Sequence, residues 1–252
     1  MSVDYDTFAE LYEADFANYS EDIGFYVELA RRTGGPILEL MCGTGRVTLP
    51  LAEEGFDVTG VDNSSDMLRL AQQRVNEANL QDKVTLVQAD IRTDKLPSGF
   101  MLTFITANSF MHIDKVEDQI QALENIRSTL QHDGLLVIDV LNPNPHELVQ
   151  ADGHTVLANT FELDGDKVLK FVSTSTDIAA QTNYVTFIYD RCKPDGQVIR
   201  RVMPLTMRWF YRYELEHLLI RAGYEMEAFF GSYYLDDYGT SSERLIAVAH
   251  VK

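Results

Sequence analysis

One break in the chain constrains its fold more than any other. The apolar run Ile37-Leu38-Glu39-Leu40-Met41-Cys42 stops at Gly43-Thr44-Gly45, and Arg46 then leads into a helical pattern. Glycine permits a sharp turn and lets a ligand lie against bare backbone, while the first turn of the following helix offers unpaired N–H groups. This is the grammar of a nucleotide-type cofactor site in an open α/β sheet, where ligands sit beyond the C-terminal ends of the strands.

Spacing argues against a dinucleotide. A Gly-x-Gly-x-x-Gly loop needs a third glycine at position 48, which is Thr48, so the pyrophosphate cradle is incomplete. Acids end the successive apolar runs instead. Glu39 precedes the turn and suits an ammonium. Asp62, after Val58-Thr59-Gly60-Val61, suits a ribose diol, because a carboxylate accepts from both hydroxyls. Asp90, after Val84-Thr85-Leu86-Val87-Gln88-Ala89, can accept from an adenine amino group, with the N–H of Ile91 offered to the ring. Ammonium, ribose and adenine together describe S-adenosylmethionine better than NAD.

The markers Glu39 to Gly45, Val61-Asp62-Asn63-Ser64, Gln88-Ala89-Asp90-Ile91 and Gly134-Leu135-Leu136-Val137-Ile138-Asp139 stand in an order that resembles the class I S-adenosylmethionine-dependent methyltransferases, from about Tyr5 to the C-terminus. The resemblance implies a doubly wound, Rossmann-like, mostly parallel seven-stranded sheet. It also implies cofactor contacts from Tyr12, Tyr19, Glu39, Met41, Gly43, Thr44, Gly45, Arg46, Asp62, Asn63, Met67, Asp90, Ile91, Ala107 and Asn108, with S-adenosylhomocysteine as product. Met41 departs from the family pattern, which has a small residue there, often glycine.

With 252 residues, 45% of them apolar, the chain can bury a substantial core. No run approaches the roughly 20 apolar residues of a membrane span, and the acidic start lacks a signal peptide's basic region, so the expected location is the cytoplasm. A net charge of −18 weighs against nucleic acid and anionic membranes as partners. Cys42 and Cys192 are too few for a disulfide framework, and Cys42 reads as a small buried residue rather than a nucleophile.

Strand and helix alternate as a doubly wound sheet requires. Ser64 or Ser65 can cap a helix whose inner face is Met67, Leu68, Ala71 and Val75, and Pro50 is tolerated if its helix begins near Val47. Phe100 to Thr106 and Leu135 to Leu141 read as the fourth and fifth strands, with a helix over Val116 to Leu130 between them. Leu215, Leu218, Leu219 and Ala222 give a late helix ended by Gly223, and Tyr224 to Tyr233 and Arg244 to Val251 complete the sheet. From about His154 to Arg208 the rhythm turns β-branched and aromatic, with a turn at Lys193-Pro194-Asp195-Gly196. The expected organisation is a cofactor-binding core of residues 1–152 and 209–252 carrying an antiparallel β insert, 153–208, after strand 5. This is similar to small-molecule methyltransferases that act on amino sugars. There the added sheet covers the acceptor pocket or pairs subunits into a homodimer, and both roles stay open.

Tyr5, Phe8 and Tyr12 recur at helical spacing, and the resemblance makes Tyr12 and Tyr19 a lid over the cofactor. By the same resemblance Ala107 receives the cofactor's ammonium, and Asn108 to His112 border the acceptor. His112 is the first candidate general base, with a polar helix-entry residue hydrogen-bonded to backbone as its other reading, and His146, beyond the fifth strand, is the second. No compact metal-ligand spacing occurs, so no metal is expected. Asp236 and Asp237 either bind an acceptor amine or stay solvated. The expected function is methyl transfer by direct in-line displacement to a small-molecule acceptor, an amine ahead of a hydroxyl. A cofactor-binding partner or sensor without transferase activity is the alternative, and a dehydrogenase the weaker third.

Overall fold

The computed structural model describes residues 8–252; the Tyr5-Asp6 part of the aromatic lid pattern lies outside them. Two short helices, α1 (Ala9–Phe16) and α2 (Ile23–Thr33), precede β1 (Ile37–Leu40). Alternation then sets in as α3 (Thr48–Glu53), β2 (Val58–Asp62), α4 (Ser65–Glu77), β3 (Val84–Gln88), β4 (Phe100–Ile105), α5 (Val116–Arg127) and β5 (Leu130–Leu141). After α6 (Pro145–Ala151) come β6 (His154–Leu163), β7 (Asp166–Asp177), β8 (Thr182–Cys192) and β9 (Val198–Arg208). The chain returns through α7 (Arg212–Arg221), β10 (Tyr224–Phe230) and β11 (Arg244–Val251).

The larger sheet has seven strands in the order β10-β11-β5-β4-β1-β2-β3. β1 to β5 are parallel to one another, while β11 runs antiparallel to β5 and β10 to β11. The order reverses at β1, so the loops after β1 and β4 diverge there and open a crevice at the strands' C-terminal ends. Every residue of β1 is buried, as a central parallel strand covered on both faces requires. Leu123, Ile126, Leu215 and Leu219 of α5 and α7 pack on one face, and Tyr26, Leu29 and Leu51 of α2 and α3 on the other. The second sheet, β6-β7-β8-β9, is antiparallel throughout. Its last hairpin turns where Lys193 N–H donates to the Gln197 carbonyl and Gly196 N–H to that of Lys193.

Local chemistry explains the boundaries. Ser64 caps α4 by accepting from the Met67 N–H at 3.2 Å, and Met67, Leu68, Ala71 and Val75 are its buried residues. Pro50 sits in the first turn of α3, where no intrahelical bond is lost. Three expected boundaries move by three residues or more. α5 ends at Arg127 because Thr129 folds back, its N–H and hydroxyl both donating to the Ile126 carbonyl. Leu130 therefore opens β5, five residues before the expected start; the strand passes an irregularity where Gly134 presses on Phe100, whose carbonyl oxygen would lie 2.8 Å from any Cβ there. β10 stops at Phe230 rather than Tyr233, since Gly231 N–H turns to the Asp236 carbonyl. Among the described residues no helix is long and apolar enough to cross a membrane.

Candidate cofactor and acceptor site

The loop after β1 takes three left-handed residues, Met41 (φ +57°), Gly43 (+56°) and Gly45 (+79°). At Gly45 a Cβ would meet Leu49 Cδ1 at 2.7 Å, so Leu49 would have to shift, and the left-handed φ itself favours glycine. Met41 holds the conformation that the family's glycine adopts without strain, at a cost of roughly 1–2 kcal/mol. Its side chain packs on the core and reaches the crevice. Gly60 of β2 leaves room for Cys42, whose Sγ would lie 2.9 Å from a Cβ there. Burial pushes the Cys42 thiol well up, as befits a small packing residue rather than a nucleophile.

The three acids end neighbouring strands but meet different fates. Glu39 is buried and accepts from Thr48 Oγ1 at 2.5 Å; burial pushes its carboxyl up to about 7, against the opposing effects of Thr48 and Arg46. The residue that breaks the dinucleotide glycine pattern is thus the one that holds Glu39. Asp62 accepts the Gly43 N–H at 2.8 Å on one oxygen and the Ser64 N–H at 2.9 Å on the other. Asp90 is different. Arg92 grips it through Nε at 2.9 Å, Nη2 at 2.6 Å and its own N–H at 2.9 Å, and these bonds hold the carboxyl below its ordinary value. The expected open acceptor for an adenine amino group is therefore a carboxylate engaged by the arginine two residues on, and Ile91 is buried in the core beside it.

One cavity is lined by Tyr12, Met41, Gly43, Asp62, Asn63, Met67, Ser109 and His112. Tyr12 Cε1 lies 4.0 Å from where a Gly43 Cβ would be, so a side chain at 43 would enter the cleft beneath the ring. Bare glycine backbone, a diol-sized carboxylate and an aromatic cover fit an adenosyl cofactor. Arg46 takes no place in that lining. Its guanidinium is paired bidentately with Asp22 at 2.6 Å on each arm, under the ring of Tyr19. Asp22 is fully buried and also accepts from Thr106 Oγ1 at 3.1 Å, which ties the glycine loop to the end of β4. Tyr19 reaches Tyr233 instead of the cavity, and Thr44 is buried with its carbonyl bound by Arg74 Nη1 at 3.1 Å.

Beyond β4, Ala107 (φ +53°) and Asn108 (+66°) are consecutive left-handed residues without being glycine, a strain of order 1–3 kcal/mol each. Their surroundings hold them. Asn108 N–H donates to the Asp139 carbonyl at 3.2 Å, and Asn108 Oδ1 accepts from Leu141 N–H at 2.7 Å and Arg244 Nη2 at 3.1 Å. Asp139, fully buried, is held by Arg244 Nε at 2.8 Å and Tyr233 Oη at 2.9 Å. Asp139 thus serves an ion pair. Among the described residues no group of three or more His, Cys, Asp or Glu could hold a metal ion.

The two histidine candidates separate. His112, on a 3-10 turn at Ser109–His112, lines the cavity with Asp62 and Tyr12. Desolvation pushes its imidazole below the ordinary 6.5, opposed by a hydrogen bond to the backbone of Thr206 on β9, so the neutral base prevails at pH 7. His146 stands exposed on α6, its N–H capped by Asn144, and does not join the cavity. Asp236 and Asp237 border a separate cavity of about 530 Å³ with Glu21, Tyr233, Tyr234 and Glu243.

A family model described as a methyltransferase domain matches residues 37–134, from β1 into β5. Among curated proteins, a glycine/sarcosine N-methyltransferase of Aphanothece halophytica is 31% identical over 156 residues, 60% of this chain and 56% of that one. The chain spans about half the length of the curated relatives it matches. Among solved structures, the CcbJ methyltransferase of Streptomyces caelestis superposes with a TM-score of 0.78 at 24% identity, covering 95% of this chain and 96% of that one. The sugar N-methyltransferase KedS8 of Streptoalloteichus gives 0.76 at 19%, covering 100% and 94%. These two likenesses, across both sheets, establish the fold.

Proposed function

We propose a function from the premise that the chain belongs to the family of S-adenosylmethionine-dependent methyltransferases: it methylates an amine on a small metabolite. Bound S-adenosylmethionine supplies a methyl group activated on a sulfonium. What the chain adds is alignment and exclusion of water. Asp62 suits the ribose diol, the bare backbone at Gly43 lets the ligand approach, and Tyr12 covers it. Ala107 and Asn108 present their strained backbone at the β4 edge, with His112 beside them. The observation that carries the reading is the single cavity in which Tyr12, Gly43, Asp62 and Met67 meet His112. The names of the glycine/sarcosine and sugar N-methyltransferases support an amine over a hydroxyl. The outer face of the insert, where Leu157, Tyr184 and Val202 are exposed, suits pairing with a second copy. S-adenosylhomocysteine release measured over a panel of small amines and matched alcohols tests the reading. Turnover confined to alcohols defeats the amine assignment, and none with either class, from a folded protein that binds cofactor, defeats transferase activity.

A neutral imidazole beside the acceptor can take the proton that a methylated amine sheds. His112→Gln should lower kcat by about 10²-fold, the scale of one general base, while the dissociation constant for S-adenosylhomocysteine stays within about threefold. Weakened binding with unchanged kcat would make His112 a cofactor contact instead.

Glu39 supplies a second readout. Its folded carboxyl holds a proton up to about pH 7, against an ordinary 4.5, so the protonated form favours folding and that contribution is lost as pH rises through this window. A cationic ligand beside it favours the carboxylate. Titration near pH 6.5 in buffers of different ionisation enthalpy should therefore show proton release on S-adenosylmethionine binding, abolished by Glu39→Gln. Release that persists in the variant would place the titrating group elsewhere.

A further inference from the structure

α1 has no reason of its own to stay where it is. It is eight residues long, and Phe8 at its N-cap makes no side-chain capping bond, so its position depends on what grips it from outside. One grip is on the cofactor side, where Glu13 pairs with Arg74 at 3.1 Å, and Arg74 in turn binds the Thr44 carbonyl of the glycine loop. The stronger grip comes from the opposite side, out of the β insert.

Asn159, Lys170 and Tyr189 are cross-strand neighbours in one row over β6, β7 and β8, and all three converge on Asp15. Asn159 Nδ2 donates to Asp15 Oδ1 at 2.8 Å, Tyr189 Oη donates to Oδ2 at 3.2 Å, and Lys170 Nζ forms an ion pair with Oδ2. The pair is buried, with the Lys170 and Asp15 side chains 8% and 3% exposed. The Lys170 ammonium also lies 4.1 Å from the Phe187 ring centroid and 5.1 Å from that of Phe16. Phe16 stacks on Tyr12 with centroids 4.5 Å apart, and Tyr12 covers Gly43. A continuous series of contacts thus runs from Lys170 through Asp15 and Phe16 to the tyrosine over the cofactor loop. A lysine placed this deep among aromatic rings is costly to bury without its partner, and a plain structural sheet has no need of it.

We propose that Lys170 is a positioning residue for cofactor retention: the insert uses it to hold α1, and with it Tyr12, over the glycine loop. This rests on the reading that Tyr12 covers the bound cofactor. The insert then acts on the cofactor as well as on any acceptor, although none of its residues lines the adenosyl cavity.

The test is the dissociation rate of S-adenosylhomocysteine by stopped flow, from the full chain, in Lys170→Met, Tyr12→Ala and the double variant, with circular dichroism confirming the fold. Lys170→Met should release the ligand about tenfold faster, while in the Tyr12→Ala background the same change should alter the rate less than about twofold, because residues acting through one lid are not additive. Should Lys170→Met fail to fold, Asn159→Asp at the exposed end of the row sets a second carboxylate against Asp15 and should speed release in the same Tyr12-dependent way. An unchanged rate in Lys170→Met or Asn159→Asp, or effects that multiply with Tyr12→Ala, overturns the proposal. If Tyr12→Ala alone leaves the rate unchanged, the lid reading falls and takes this one with it, a result distinct from failure at Lys170.

Discussion

Asp62→Ala should weaken S-adenosylmethionine binding by at least about a hundredfold, the largest loss expected of any single change at the crevice. Its carboxylate does two jobs. Toward the protein it accepts the Gly43 and Ser64 N–H groups, one on each oxygen, and so fixes the left-handed loop against the start of α4. Toward the ligand it suits the ribose diol. Hydrogen bonds to a charged group contribute about 1.5–3 kcal/mol each, and a hundredfold corresponds to about 2.7 kcal/mol, so loss of the diol contact with partial loosening of the loop suffices. Asp62→Asn should fall between, because an amide has one acceptor oxygen where two N–H groups need one each. Asp90→Ala gives the contrast: Arg92 already occupies that carboxylate, so its removal should cost clearly less. Isothermal titration of the three variants checks the order, and an Asp62→Ala protein binding within about threefold of the parent would remove Asp62 from the site.

How much of this was legible in the residues depended on whether the signal was local. The glycine turn, the Ser64 cap, the place of Pro50 and the Lys193–Gly196 turn are decided by neighbours in sequence, and each stands as read. The mostly parallel seven-stranded sheet came with the family resemblance, while its strand order was not read at all, since periodicity alone does not say that β4 lies beside β1. Partners distant along the chain were invisible. Arg46 read as a cofactor residue, yet its charge is met by Asp22, which no local pattern marks. Asp90 read as open, though the arginine two positions on was there to be weighed. His112 was read as the first candidate base and His146 as the second, and both stayed in play until the placement of α6 on the surface parted them. One distant pair did leave a trace: an aspartate inside the apolar strand Leu135 to Leu141 and an arginine opening the apolar strand Arg244 to Val251 are each too costly to bury alone.

That pair carries the largest expected effect on stability. Arg244→Met should destabilise the chain by about 3–5 kcal/mol, the range for breaking a buried ion pair from one side, with a fall in Tm on the order of 10 °C. Arg244 is the strongest counterweight to the desolvation of Asp139, whose carboxyl burial already pushes above its ordinary value. Without the guanidinium that rise grows. The folded carboxyl then holds its proton more tightly than the unfolded one, so the variant's deficit should be small in acid and widen as pH rises toward neutrality. Asn108 loses a donor on its Oδ1 at the same time, which frees the strained Ala107–Asn108 turn and should lower kcat along with Tm. Replacing both charges separates the two effects. Asp139→Leu combined with Arg244→Met removes the stranded carboxyl and should recover most of the lost stability, since an apolar pair can match a buried ion pair, without restoring the Asn108 contact or kcat. Denaturant unfolding at pH 5 and pH 7.5 decides the matter: equal deficits at the two pH values would mean that Arg244 stabilises by packing rather than by charge.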